Sequence, residues 1–101
     1  MQTLLHALGD ANRLKIINFI GADNCSVSQI ISAIKLSQPL VSHHLRTLRE
    51  NRILETYRNG PFVYYKLSNI ALLDILAKLE EIMLTSQIKS YQPLFTRTFK
   101  R

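Results

Sequence analysis

The arrangement that most constrains this chain is a pair of helix starts set close together, at Ser26 and Ser37. Ser26-Val27-Ser28-Gln29 has the form of a capping box, in which a serine hydroxyl and a glutamine side chain satisfy each other's otherwise orphaned backbone donors. Val27, Ile30, Ile31 and Ile34 follow at helical spacing and line an inner face. Lys35-Leu36 then leads straight to Ser37, a second N-cap followed by Gln38 and Pro39, and proline in a first turn costs no hydrogen bond. From Pro39 to Glu50, Val41, His44, Leu45 and Leu48 share one face of a helix, and Gln38, Ser42, His43, Arg46 and Arg49 share the opposite one. Two short amphipathic helices joined by a three-residue turn make a helix-turn-helix.

The flanking segments complete the plan. Gln2 to Leu8 places Leu4, Leu5 and Leu8 on one side at helical spacing before Gly9 interrupts and Asp10 offers an N-cap. Ala11 to Ile20 reads as a second helix with Leu14, Ile16, Ile17 and Ile20 inward, stopped by Gly21 and followed by a loop carrying Cys25. Ile53 to Thr56 and Phe62 to Leu67 are rich in β-branched and aromatic residues, and Asn59-Gly60 between them is a strong hairpin signal. Alternation on the return strand puts Val63, Tyr65 and Leu67 on one side and Phe62, Tyr64 and Lys66 on the other, with Arg58 near the tip. Ser68 or Asn69 can cap a last helix over Ile70 to Lys89, whose Leu72, Leu73, Ile75, Leu76, Leu79, Ile82, Met83 and Ile88 make more than one apolar stripe. The expected fold is mainly α (α+β): a winged helix-turn-helix of five helices with a two-stranded β-hairpin wing. A surplus apolar stripe on the last helix asks for a second copy. Residues 1–90 form the expected domain and 91–101 a C-terminal tail without clear periodicity.

Composition bounds the function. The chain has 101 residues, 47% of them hydrophobic and 20% charged, enough for one core and too apolar for disorder. No apolar run approaches the roughly 18 to 20 residues of a membrane span, and no secretory signal opens the chain, so a cytoplasmic protein is expected. Cys25 is the single cysteine, which excludes an internal disulfide and a two-thiolate metal site within one chain. The net charge of +6 is unevenly placed: residues 35–69 hold Lys35, Arg46, Arg49, Arg52, Arg58 and Lys66 against only Glu50 and Glu55. A basic middle segment suits a polyanion, although a solvated basic face has the same composition. With no glycine-rich phosphate loop, no nucleophile motif and no paired carboxylates, the chain does not read as an enzyme, and nothing calls for a cofactor.

The second helix of a helix-turn-helix can enter a DNA major groove about 12 Å wide, and its outer face here carries the side chains that task needs. Gln38 can pair with adenine, Arg46 with guanine or phosphate, and Ser42 and His43 with base edges or phosphate oxygens. Ser37 and the adjoining amides lie at a helix N-terminus, a seat for phosphate. Arg58 on the wing, with Lys66 and Tyr64, would reach the flanking groove or backbone. An ordinary solvated helix surface would carry a similar polar face, but the wing and the charge distribution weigh towards duplex DNA. His43 and His44 point to different sides of one helix and cannot jointly chelate a metal, so His44 reads as a packed or hydrogen-bonded core residue. His6 reads as a surface or interface histidine, and Cys25 as a structural thiol, since reactivity needs a lowered pKa.

Two stretches resemble the ArsR/SmtB family of bacterial and archaeal repressors: Leu8-Gly9-Asp10-Ala11-Asn12-Arg13-Leu14-Lys15-Ile16-Ile17, and the more specific Leu36-Ser37-Gln38-Pro39-Leu40-Val41-Ser42-His43-His44-Leu45-Arg46-Thr47-Leu48-Arg49-Glu50. The likeness runs from about residue 2 to residue 90. It implies a homodimer built through the first and last helices, binding to an inverted repeat in an operator, with Gln38, Ser42 and His43 near bases and Arg58 at the flanks. The departures are specific. Arsenic-sensing members open the helix before the turn with Cys-Val-Cys, where this chain has Ser26, Val27 and Ser28. Members with a metal site on the last helix use an Asp and a His two residues later, but Asp74 is followed by Leu76 and no His occurs after His44. Persulfide sensors need two cysteines, and Pro61 stands at a wing position that is often basic. Two other readings stay open: a metal- or redox-responsive repressor using a site built from Cys25, His6 or acidic residues of two chains, and a winged-helix protein-interaction module.

Overall fold

Local signals place the helices. The Asp10 carboxylate accepts from the amides of Asn12 (2.8 Å) and Arg13 (3.1 Å) and so opens a helix, while Ser26 and Ser37 do the same further on. The computed structural model describes residues 2–91, with side chains through Ser86, so the Ile88 side chain and the tail beyond Tyr91 lie outside the described residues. The element order is α1 (Gln2–Leu8), α2 (Ala11–Ile20), β1 (Asn24–Ser26), α3 (Val27–Ile34), α4 (Gln38–Glu50), β2 (Leu54–Asn59), β3 (Phe62–Leu67) and α5 (Ala71–Tyr91). Everything through Ile70 forms one compact unit, and α5 belongs to a second.

In the first unit the core is apolar and dense. Ile16, Ile17 and Ile20 of α2, Ile30 of α3, Val41, Leu45 and Leu48 of α4, and Leu54 at the start of β2 are almost wholly buried. All four inward positions expected on α4 are buried, His44 among them. On α1 the leucines stay partly or largely exposed, Leu5 at 59%, and the buried residue is Ala7. Ala7 lets the helix backbone approach closely, and that approach is what the site described below uses.

The capping box at Ser26 is complete, with Gln29 N–H on Ser26 Oγ at 3.2 Å and Ser26 N–H on Gln29 Oε1 at 2.9 Å. Helix α3 ends on Lys35 in the left-handed region (φ 63°), whose N–H returns to Ile31 O, and this reversal makes the tight turn into α4. Helix α4 ends in a Schellman motif: Ile53 N–H reaches Leu48 O at 2.9 Å, Arg52 N–H reaches Arg49 O at 3.0 Å, and Arg52 takes the left-handed conformation (φ 60°). Burial of Ile53 then starts the chain into β2.

The sheet has three antiparallel strands in the order β1-β3-β2, one more than the expected hairpin. The segment around Cys25, expected as a loop, is strand β1, paired as Asn24↔Lys66, Cys25↔Tyr65 and Ser26↔Tyr64. Strand β2 runs on to Asn59, beyond the Thr56 expected, and pairs Asn59 with Phe62. The hairpin loop is therefore Gly60-Pro61 rather than Asn59-Gly60. Pro61 cannot adopt the positive φ that a type I′ turn demands at its second position, whereas Gly60 at φ 64° supplies the positive φ that a type II′ turn needs at its first. Tyr57 stacks on Tyr64 with ring centroids 5.6 Å apart, on the wing face opposite Leu54 and Leu67.

Helix α5 carries Ile75, Leu79, Ile82 and Met83 at i, i+4, i+7 and i+8, each more than half exposed. Among the described residues, no helix is long and apolar enough to cross a membrane.

Ile17→Ala is expected to destabilise the fold by about 3 kcal/mol through an unfilled cavity, and Gly60→Ala by about 1 kcal/mol through backbone strain, since a methyl there meets nothing within 4 Å. Urea unfolding with unchanged m-values checks both.

Candidate nucleic-acid interface

Helix α4 presents its outward residues in two rows. Gln38, Ser42 and Arg46 follow at i, i+4 and i+8, and beside them run Pro39 and His43; all five are exposed. Pro39, Ser42, His43 and Arg46 line a surface hollow of about 210 Å³, so three polar-face residues converge on one place, with Gln38 on the next turn. Ser37, at the N-cap, is exposed as well, but its hydroxyl accepts from Leu40 N–H at 3.4 Å. Pro39 has no N–H and Val41 N–H bonds Ser37 O at 3.0 Å, so the first-turn donor left to an anion is the amide of Gln38.

The wing cations lie on different faces. Arg58 pairs with Val63 next to the Gly60-Pro61 loop, whereas Lys66 sits across from Glu55 on the other face. Lys66 Nζ is 3.4 Å from Glu55 Oε2 and 5.8 Å from the Tyr57 ring centroid, so part of its charge is answered within the wing. Arg58 and Lys66 are both exposed.

Behind α4 lies an arrangement that the residue pattern does not reveal. Arg13 of α2 is only 7% exposed, and its guanidinium is shared among three helices. Nε donates to Ala7 O at 2.6 Å and Nη2 to His6 O at 3.2 Å, closing the C-terminal end of α1, while Nη1 meets His44 Nδ1 of α4 at 3.2 Å. Asp10 Oδ2 stands 4.0 Å from Nη1. A guanidinium only donates, so His44 Nδ1 must offer its lone pair, and the ring is neutral with its proton on Nε2. Burial holds the His44 pKa below its ordinary value; Asp10 opposes this, and Arg13 and His43 add to it. The Asp10 carboxyl is held below the usual carboxylate range, chiefly by the Arg13 amide, with burial opposing and the Asn12 amide helping. The signal for all this was Arg13 itself, a cation set in the same helical row as Ile16, Ile17 and Ile20.

Cys25 is 7% exposed, and burial, then Asp23, pushes its thiol up, so it is a poor thiolate at neutral pH. Ser26 is committed to the α3 cap, so its hydroxyl serves the start of that helix. Among the described residues, no three His, Cys, Asp or Glu side chains gather to hold a metal ion. His6 and Asp74 are exposed and join no such group.

The model for "Bacterial regulatory protein, arsR family" matches residues 10–56, which run from the Asp10 cap through α4 into the wing. The transcriptional repressor SdpR of Bacillus subtilis is 30% identical over 74 residues, covering 73% of this chain and 82% of the relative. This chain belongs to the arsR family. The arsenical resistance operon repressor of Staphylococcus aureus is 29% identical over 87 residues, 86% of this chain and 84% of the relative. The crystal structure of NolR from Sinorhizobium fredii superposes with a TM-score of 0.73 at 30% identity, covering 80% of this chain and 81% of that one. These likenesses support the winged helix-turn-helix reading of the fold, and this arsR-family chain carries a single cysteine, Cys25.

Asp10→Ala is expected to cost about 1 kcal/mol at pH 7 through loss of the α2 cap. Because the folded Asp10 pKa is lowered, its contribution is complete above the ordinary carboxylate value and disappears as pH falls through the folded one. The gap between the thermal melts of wild type and variant should therefore begin to narrow below about pH 4 and close only as pH falls through the lower folded value.

Proposed function

We propose that this protein is a homodimeric transcriptional repressor that binds an inverted-repeat DNA operator, with α4 in the major groove and the wing on the flanks. The observation that carries this reading is the outward face of α4, where Ser42, His43 and Arg46 converge beside Gln38 while the opposite face is wholly committed to the core. A surface built only to dock protein has no need of a cation and hydrogen-bonding side chains in groove-reading rows. The names of the relatives, both repressors, support the direction of control.

In this assignment Gln38 and Arg46 read base edges, each able to form a two-pronged contact, with adenine and guanine respectively. Ser42 and His43 add single hydrogen bonds. Ser37 and the Gln38 amide hold a phosphate at the helix start. Arg58, beside the wing loop, reaches the flanking backbone or minor groove, and Lys66, already shared with Glu55, adds charge without an independent contact. In this reading two copies pair through α1 and α5: Leu5 on α1 and Ile75, Leu79, Ile82 and Met83 on α5 are each more than half exposed, apolar surface that a second copy would cover.

Titration of labelled DNA from upstream of the protein's own gene, against scrambled DNA, tests the reading. Gln38→Ala and Arg46→Ala are each expected to weaken specific binding about 10- to 100-fold, equivalent to about 1 to 3 kcal/mol. Arg58→Ala should weaken both fragments similarly and reduce the salt slope by about 1, while Lys66→Ala changes little. Equal weak binding to both fragments, indifferent to Gln38→Ala and Arg46→Ala, would overturn the assignment.

A further inference from the structure

We propose that Arg13 is a positioning residue for the DNA-reading helix, acting through His44, and that protonation of His44 releases that helix and weakens operator binding. The inference rests on the DNA-binding reading above and adds to it a built-in sensitivity to acid.

The geometry supplies the argument. Helix α4 has apolar contacts on its inner face, and such contacts fix depth better than rotation or axial register, because they are not directional. The Nη1···Nδ1 contact at 3.2 Å is the directional tie from α2 to this helix, and it falls within one residue of His43 and two of Ser42 and Arg46, which carry the reading face. The same guanidinium is held at its other nitrogens by the carbonyls of Ala7 and His6, so it cannot turn away to accommodate a change at His44 without leaving α1.

Protonation of His44 would place a proton on Nδ1, the atom that now accepts. Two donors would then face each other at 3.2 Å in a buried site, and the imidazolium and guanidinium would repel. The ionisable groups around His44 do not cancel this. Asp10 favours the charged ring but stands 4.0 Å from Nη1 and spends its other oxygen on the α2 amides. Arg13 and, from its own helix, His43 disfavour it, and the His43 ring lies 5.6 Å away. Helix α3, packed on α4, has no ionisable side chain. On β2, Glu55 is held by Lys66 and Tyr57 is stacked on Tyr64 on the far face of the wing, while Arg58 sits at its tip. Since the folded ring is held neutral by burial, the contact is complete above the ordinary histidine pKa of about 6.5 and is lost as pH falls below it through the lowered folded value.

The test is a pH series from 8 to 5.5 at constant ionic strength on the intact protein, with its upstream DNA and scrambled DNA as probes and circular dichroism recorded at each point. Specific affinity is expected to hold at the alkaline end, then fall by up to about tenfold per pH unit for each coupled proton once His44 titrates, with helical content unchanged. His44→Asn, whose amide oxygen can occupy the Nδ1 position and accept from Arg13 at any pH, should bind well and flatten the profile. Arg13→Met should bind weakly at every pH with no acid-dependent step. A flat wild-type profile, a step that survives His44→Asn, or a loss that coincides with loss of helix would each overturn the proposal. Should His44→Asn fail to fold, imidazole ¹⁵N shifts of the wild type decide. They must show a neutral ring protonated at Nε2 that charges over the same pH range as binding is lost, and charging outside that range overturns the inference. Failure of the DNA reading looks different: no preference for the upstream fragment even at pH 8.

Discussion

A single guanidinium holds the first unit in its particular arrangement. A cation taken out of water costs several kcal/mol unless its donors are met, and Arg13 meets its partners on three sides: two carbonyls ending α1 and the imidazole of α4. The carbonyls are the negative pole of α1, so the cation also neutralises that helix end, meeting Ala7 O and sharing His6 O with the Gly9 amide. Apart from His44 and Cys25, the other buried side chains of the unit are aliphatic and indifferent to angle. Apolar burial makes the unit cohere, and Arg13 decides at what angle α1, α2 and α4 meet. The small Ala7 is the counterpart of that choice, since a larger side chain would hold the α1 backbone away from the guanidinium.

How much of this was legible depends on the range of the interaction. Helix starts at Asp10, Ser26 and Ser37 were readable because a cap is a contact between neighbours in sequence. The two faces of α4 and the alternation along β3 were readable for the same reason, since periodicity is local. Strand β1 was not: three residues carry too little pattern, and Cys25 is a strand residue only because Tyr65 is opposite it. The hairpin loop was misplaced by one residue because Asn59-Gly60 is a strong signal on its own, and only the pairing of Asn59 with Phe62 shows that the proline takes part. The burial of Arg13 escaped because a cation in an apolar row can either reach solvent or find partners, and the partners lie in two other helices. The outward face of α4 was legible, being defined by what the core leaves over, and its role in reading DNA is the proposal made above.

The family framework and the sensing chemistry separate cleanly in this chain. The Ser26 hydroxyl completes a capping box, so the position serves the start of α3. Cys25, one residue earlier, is inward in the sheet with its thiol held protonated by burial. A helix-turn-helix needs caps and a packed inner face, and neither depends on which small molecule, if any, reports to it. The shared architecture therefore carries over across relatives at about 30% identity, while the effector has to be argued from particular side chains.

Ser26 belongs to two elements at once: it is the last residue of β1, paired with Tyr64 of the wing, and the N-cap of α3. The return strand of the wing is thus paired with the very residue from which the helix-turn-helix begins. Through that shared residue, wing and helix-turn-helix would meet a duplex as one gauge. A duplex whose grooves do not match that gauge must itself twist or bend to be gripped. Part of the discrimination among DNA sequences would then reside in how readily each one deforms, at base pairs that no side chain touches.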